Sequence, residues 1–198
     1  MTACAWFGGG GPAGRGMDPI YDPVTGRLQL LKYDSNGNGV PDTFSYMDGA
    51  RFIRIEIDTD EDGTIDRWEY YGDDQALERV GFSRQHDGVV DAWSYARADG
   101  STERIELSST RDSAIDRVEY YERQGTEDVL VRAEEDGDAD GIMDKWDTYD
   151  SGRLAVVAFD LTKNGVPDRR IVHGADGTAT LEADPDEDGT FEPLVPGP

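Results

Sequence analysis

The sequence predicts an all-β protein: a repetitive antiparallel β-hairpin meander of about 14 short strands. A nine-residue acidic loop recurs seven times, at start-to-start spacings of 24, 25, 25, 28, 24 and 24 residues. Between the loops apolar and polar side chains alternate with period 2, which is the pattern of strands. Two helices of about ten residues would not fit beside a nine-residue loop within a 24-residue period. Each unit is therefore a strand, a tight turn, a second strand and an acidic loop.

The seven loops have oxygen-bearing side chains at loop positions 1, 3, 5 and 9, and glycine at position 6 in all but one of them. They are loop 1 (34–42), loop 2 (58–66), loop 3 (83–91), loop 4 (108–116), loop 5 (136–144), loop 6 (160–168) and loop 7 (184–192).

The segments between the loops are predicted as hairpins. The second and fourth residues after a loop are mostly aromatic, as in Trp68 and Tyr70, whereas before a loop the pattern is aliphatic, as in Ile53, Ile55 and Ile57. Turn dipeptides such as 48–49 contain Gly, which accepts a positive φ. We expect one aromatic face and one charged, solvated face, and a sheet that curls or closes to cover its rings.

The repeats define a single domain over residues 20–192, followed by a Pro-rich tail at 193–198. A Tyr-Asp pair followed by Gly-Arg-Leu occurs at 21–28 and again at 149–154. This spelling resembles the YD repeats of bacterial cell-surface and toxin shells. The resemblance implies an extracytoplasmic, non-catalytic shell.

Residues 1–19 are predicted to form a disordered, Gly-rich tether. The segment 1–4 (MTAC) resembles the last four residues of a bacterial lipobox, which implies that Cys4 is lipidated and, because Ala5 follows, anchored at the outer membrane. The charged and apolar parts of a signal peptide do not precede it. Either translation starts upstream of Met1, or the match is fortuitous and Cys4 is a free thiol.

Composition excludes several classes of function. The chain has 43 acidic and 19 basic residues, a net charge of −24, so it repels phosphate backbones and we expect no nucleic-acid partner. One Cys and two isolated histidines, His86 and His173, provide neither a CxxC nor an HExxH metal motif. Nucleotide-binding loops and nucleophile elbows do not occur either. We therefore predict that the protein is not an enzyme.

The acidic loops are predicted to bind Ca²⁺, because side-chain oxygens at positions 1, 3, 5 and 9 around a sharp turn surround a hard cation. They resemble the DxDxDGxxD calcium loops of FG-GAP and integrin-type propellers, and residues 58–69 also fit the twelve-residue EF-hand pattern. A propeller fold is not implied, because about 14 strands would make only half of one. The predicted ligands are Asp34, Asn36, Asn38 and Asp42; Asp58, Asp60, Asp62 and Asp66; Asp136, Asp138, Asp140 and Asp144; Asp160, Asn164 and Asp168; and Asp184, Asp186, Asp188 and Glu192.

The loops are unequal. Loops 2, 5 and 7 each have four carboxylates at the ligand positions and are predicted to bind most strongly, whereas loops 1 and 6 have two. Loops 3 and 4 begin with Ser83 and Ser108, and Ser113 replaces the turn glycine in loop 4, so we expect both to be empty. The alternative is that the loops are polar turns without an ion. Mg²⁺ is less suited than Ca²⁺ to such flexible cages.

Together these observations predict a non-enzymatic calcium-binding repeat protein of the bacterial cell envelope, outer-membrane-anchored or secreted. It would act as a structural or adhesive surface module toward a protein or polysaccharide partner. The alternative is an accessory repeat segment of a secreted enzyme or toxin system. A cytosolic calcium sensor would need helices that open on binding, which this sequence does not predict.

Overall fold

The computed structural model describes residues 16–194 and contains one antiparallel sheet whose strands follow each other in sequence order, with no helix in that range. The strands are β1 (Met17–Tyr21), β2 (Leu28–Tyr33), β3 (Thr43–Asp48), β4 (Arg51–Ile57), β5 (Arg67–Tyr71), β6 (Leu77–Phe82), β7 (Ala92–Ala96), β8 (Thr102–Leu107), β9 (Arg117–Gln124), β10 (Glu127–Glu135), β11 (Lys145–Asp150), β12 (Arg153–Phe159), β13 (Arg169–His173), β14 (Ala179–Ala183) and β15 (Glu192–Pro193). The predicted all-β hairpin meander is confirmed. Residues 16–194 accordingly contain no helical segment that could span a membrane.

The acidic loops alternate with tight turns along the chain. Loop 1 joins β2 to β3, loop 2 joins β4 to β5, and the series continues to loop 7 between β14 and β15. Because neighbouring strands are antiparallel, all seven loops lie along one edge of the sheet and the tight turns lie along the other. This order places the acidic loops side by side.

Residues 16–194 form 15 strands rather than about 14. Strand β1 begins at Met17, inside the segment predicted as a tether, and pairs with β2 through Met17↔Tyr33 and Asp18↔Lys32. At the other end, Glu192 opens the two-residue strand β15 and pairs with Ala183. Cys4 and residues 195–198 lie outside the described residues.

The register across each loop corrects the predicted division into an aromatic and a charged face. Residues equally distant from the two ends of a loop pair with each other, so Trp68 lies opposite Glu56 and Tyr70 lies opposite Arg54. The rings at the start of a strand after a loop occupy even positions, as Trp68 and Tyr70 do, whereas most aliphatic side chains before a loop, such as Ile57, occupy odd positions. Because paired residues lie on the same face, the rings of one strand share a face with charged residues of the neighbouring strand. Each face therefore mixes apolar side chains with charged ones.

The sheet is a single layer. All extensive contacts between described strands are between strands adjacent in sequence. Strands β1 and β15 do not pair, so the sheet is not closed. The hydrophobic core is correspondingly small, and the apolar residues that are buried are mostly short side chains: Val80, Ala92, Val118, Ala133, Val157 and Ala183.

Arginine side chains cover the rings that a second layer would otherwise cover. The Arg104 guanidinium carbon lies 3.8 Å from the ring centroid of Tyr95, and the Arg54 guanidinium carbon lies 4.0 Å from that of Tyr46. Arg104 Nε also donates to Glu106 at 2.8 Å, two residues along the same strand. Cation–π attraction and the apolar stems of arginine therefore shield the rings within one layer.

Candidate metal centres

All seven loops share one backbone conformation, with left-handed residues at positions 4 and 6. Position 6 has a φ between 74° and 95°, and Ser113 adopts it where the other six loops have glycine. Position 4 has a φ between 55° and 76°, although only loop 1 has glycine there; the others have Glu61, His86, Arg111, Ala139, Lys163 and Glu187. The sequence pattern identified position 6. It missed position 4, because the residues found there share no side-chain property.

Hydrogen bonds to the backbone hold the aspartates at positions 1 and 9. Asp160 at position 1 accepts from the backbone N–H groups of Lys163 (2.7 Å) and Gly165 (2.6 Å). At position 9, Asp66 Oδ2 accepts from the backbone N–H (2.8 Å) and hydroxyl (2.7 Å) of Thr59. Burial alone would raise the pKa of Asp66. The Thr59 hydrogen bonds and nearby His86 together outweigh burial, so the pKa of Asp66 lies below its usual value. The hydrogen bonds thus fix the orientation of these carboxylates, and Asp66 is held ionised.

Three loops gather acidic side chains closely enough to hold a metal ion. The groups are Asp58, Asp60 and Asp62 in loop 2; Asp136, Asp138 and Asp144 in loop 5; and Asp184, Asp186 and Asp188 in loop 7, each with ligand atoms within 4.8 Å of one another. They occur in the loops with four carboxylates. Within residues 16–194 the other four loops form no such group, and Glu192 lies outside the loop 7 group, at the start of β15.

The position 9 carboxylates of loops 2 and 5 keep an oxygen free for an ion. Oδ1 of Asp66 is buried and accepts no hydrogen bond in the part of the chain that the structure describes. Asp144 accepts a hydrogen bond only through Oδ2, from the backbone N–H of Gly137 at 3.1 Å, among described donors. In loop 6, by contrast, Asp168 Oδ2 accepts from the backbone of Leu161 and Oδ1 accepts from Arg169. In loops 2 and 5 the loop backbone thus orients one oxygen and leaves the other unpaired.

Where position 4 carries a long side chain, that side chain reaches the ligand positions of the loop before it, whereas the Ala139 methyl of loop 5 is too short to do so. Neighbouring loops are two strand spacings apart, about 9.5 Å, a gap that only a long side chain can bridge. The Glu61 carboxylate of loop 2 accepts hydrogen bonds from the side-chain amides of Asn36 and Asn38 in loop 1. Glu187 of loop 7 likewise accepts from Asn164 in loop 6, at 2.8 Å. Loops 1 and 6, with two carboxylates of their own, each gain a third from the following loop.

Where position 4 is cationic, it enters the ligand group of the preceding loop. Arg111 of loop 4 donates to Gln85 (2.8 Å) and Asp91 (3.1 Å) of loop 3 and pairs with Asp87 between them. The Arg111 hydrogen bond lowers the pKa of Asp87 to about 2. The guanidinium thus neutralises loop 3 at the position where a bound cation would lie. In the same way Lys163 of loop 6 pairs with Asp138 of loop 5.

No protein-family model matches this sequence, and a search of the curated proteins returns no match.

Proposed function

We propose that this chain is a non-enzymatic calcium-binding repeat protein of the bacterial cell envelope, whose acidic loops hold Ca²⁺ along one edge of an open sheet. The observation that carries the proposal is the recurrence of three acidic groups with ligand atoms within 4.8 Å, in loops that share one backbone conformation. Calcium accepts several oxygen ligands in variable geometry, which matches carboxylates arranged around a turn.

Electrostatics supports cation binding. Each group holds three carboxylates at separations where like charges repel, in a chain whose net charge is −24. Three Ca²⁺ ions would add six positive charges and bring the net charge to −18. Bound calcium would therefore stabilise the folded loops and relieve repulsion along the edge.

The envelope location rests on the lipobox resemblance around Cys4, on the Gly-rich run after it and on the YD-like spelling of two hairpins. Cys4 would be the lipid anchor and the sheet the surface module. A single layer exposes both faces to a protein or polysaccharide partner. The YD-like spelling also supports the second candidate function, an accessory repeat segment of a secreted enzyme or toxin system. An in-frame signal sequence upstream of Met1 would favour the first function, and a long upstream domain would favour the second.

Calcium-dependent melting tests the proposal. For extracellular sites with Kd of about 10⁻⁴ to 10⁻³ M, 1 mM Ca²⁺ would add about 0.4–1.4 kcal/mol per occupied loop. We expect Ca²⁺ to raise the melting temperature of the full chain above its value in chelator. Asp138→Ala and Asp186→Ala, each at position 3 of a loop, should each remove part of that increment.

The matched control is Asp87→Ala in loop 3, where Arg111 contacts the side chains at positions 3, 5 and 9 together, whereas Lys163 pairs in loop 5 with Asp138 at position 3. It should lower the melting temperature in chelator and in Ca²⁺ alike, leaving the increment intact. A melting temperature that does not respond to Ca²⁺ would contradict the proposal. So would an increment reduced equally by Asp87→Ala and Asp138→Ala.

A further inference from the structure

We propose that Asp60, Asp66 and His86 form a mixed carboxylate–imidazole site that binds a transition-metal ion of the Zn²⁺ class, distinct from the all-oxygen sites of loops 5 and 7. The inference rests on the proposed cation binding by the loops and replaces Ca²⁺ by this metal in loop 2, because Asp60 belongs both to the acidic group of that loop and to the mixed site. Two loops build the site: Asp60 and Asp66 are positions 3 and 9 of loop 2, and His86 is position 4 of loop 3.

The distances fit a metal ion. His86 Nδ1 lies 3.2 Å from Asp66 Oδ1 and 3.5 Å from Asp60 Oδ2, and one ligand atom from each of the three residues lies within 4.8 Å of the others. Four ligands at the usual zinc bond lengths of about 2.0–2.1 Å form a tetrahedron with edges of about 3.3–3.4 Å. The spacing of the imidazole nitrogen from both carboxylates is therefore already that of ligands around one ion.

Buried carboxylate oxygens without donors provide independent support. Asp66 is only 3% exposed; its Oδ2 is held by Thr59, but its Oδ1, which faces His86, accepts no hydrogen bond from any donor within residues 16–194. Asp58 in the same loop is 7% exposed, and its Oδ1 is likewise without a partner. A buried acceptor left without a donor destabilises the folded state. The one proton that Nδ1 can carry does not satisfy both Asp60 and Asp66, whereas a divalent ion between them would.

The imidazole decides the class of metal. Ca²⁺ and Mg²⁺ take oxygen ligands, whereas Zn²⁺, Ni²⁺ and Cu²⁺ bind imidazole nitrogen well. No other loop has histidine at position 4, and the second histidine, His173, ends β13 away from the acidic edge. His86 and Asp66 also line a groove of about 420 Å³, together with Phe82, Ala92 and Ile105 among others. Water in this groove could fill the remaining coordination position.

The test is Zn²⁺ titration of the full chain by calorimetry, with Co²⁺ absorption as a spectroscopic probe, in millimolar Ca²⁺. A Cys4→Ser background removes the thiol as a competing ligand. We expect one Zn²⁺ site per chain that Ca²⁺ does not displace, with Co²⁺ bands typical of nitrogen and oxygen ligands. His86→Gln should weaken Zn²⁺ binding at least about tenfold and change those bands, whereas the matched control His173→Gln should leave both unchanged.

Zn²⁺ binding that survives His86→Gln, or that Ca²⁺ displaces, would overturn the inference. The rise in melting temperature that Ca²⁺ causes is measured on the same proteins. This second measurement distinguishes failure of the mixed site from failure of the proposed calcium function. If His86→Gln retains that increment and the parent binds no Zn²⁺, only the mixed site is wrong. If Zn²⁺ binds through His86 but Ca²⁺ has no effect on melting, the mixed site is supported and the calcium function is wrong.

Discussion

At the scale of the residue, the most deeply enclosed side chains are polar. Asp184 is 1% exposed and Asp91 is 2% exposed, less than most of the small apolar core. These residues occupy loop positions 1 and 9, where their carboxylates bond the backbone of their own loop, as Asp184 does to the N–H of Gly189 at 2.9 Å. Substitution there would disrupt the turn as well as a ligand. Position 3 is more exposed, so variants such as Asp138→Ala report on cation binding with less damage to the fold.

Lys163→Gln tests whether the residue at position 4 controls the preceding loop. The ammonium pairs with Asp138, and this contact raises the pKa of Lys163 and lowers the pKa of Asp138. A bound Ca²⁺ must displace or tolerate that charge. We expect Lys163→Gln to lower the Kd of loop 5 for Ca²⁺ severalfold, measured by calorimetry at low ionic strength, where charge effects are least screened.

Lys32→Gln on β2 removes the same charge away from loop 5 and is the control. It should change the Kd much less. Equal effects of the two variants would mean that only net charge matters. A weaker Ca²⁺ affinity in Lys163→Gln would mean that the lysine supports the site.

At the scale of the strand, stability comes from cross-strand groups of a ring, an arginine and a glutamate. On β7 and β8, Arg104 lies over the ring of Tyr95 and pairs with Glu106, and the Tyr95 hydroxyl donates to the same glutamate at 3.0 Å. These contacts close a small cluster on one face of the sheet. They supply side-chain packing that a two-layered protein obtains from its second layer.

Arg104→Gln should lower the free energy of unfolding by about 1 kcal/mol, since it removes a cation–π contact and a partly buried ion pair. Urea denaturation measures the change. The control is Arg51→Gln, which breaks a pair with the fully exposed Asp73. Exposed pairs contribute little, so this variant should stay within about 0.5 kcal/mol of the parent. Equal losses in both variants would show that the ring contact adds nothing.

At the scale of the whole molecule, the open single layer makes stability local. The stability of each strand depends on its two neighbours, as in repeat proteins whose stability is a sum of unit and interface contributions.

Ca²⁺ bound in loop 5 should therefore slow amide hydrogen exchange in β10 and β11. It should leave the exchange rates of β7 and β8, which lie between loops 3 and 4, little changed. Asp138→Ala should abolish the protection around loop 5 and retain it around loop 7. Uniform protection along the sheet would contradict this, because it would mean that the domain opens as one unit.

The sequence alone predicts the features that depend on neighbours in the chain. Period-2 alternation defines the strands, turn dipeptides such as 48–49 define the hairpins, and the spacing of carboxylates around Gly63 or Gly141 marks candidate ligands. Each of these signals acts within a few residues, which is why the strand order and the acidic loops could be predicted.

Only the tertiary structure decides which residues meet across strands and between loops. Tyr70 shares a face with Arg54 because the register across loop 2 pairs them, which neither strand's own alternation reveals. His86 reaches Asp66 only once the hairpin of β5 and β6 has brought loops 2 and 3 side by side. The open ends of the sheet are likewise a property of the assembled layer, because no residue pattern in β1 or β15 indicates whether they pair. Contacts between residues 20 or more positions apart depend on the path of the folded chain, and short-range periodicity does not determine that path.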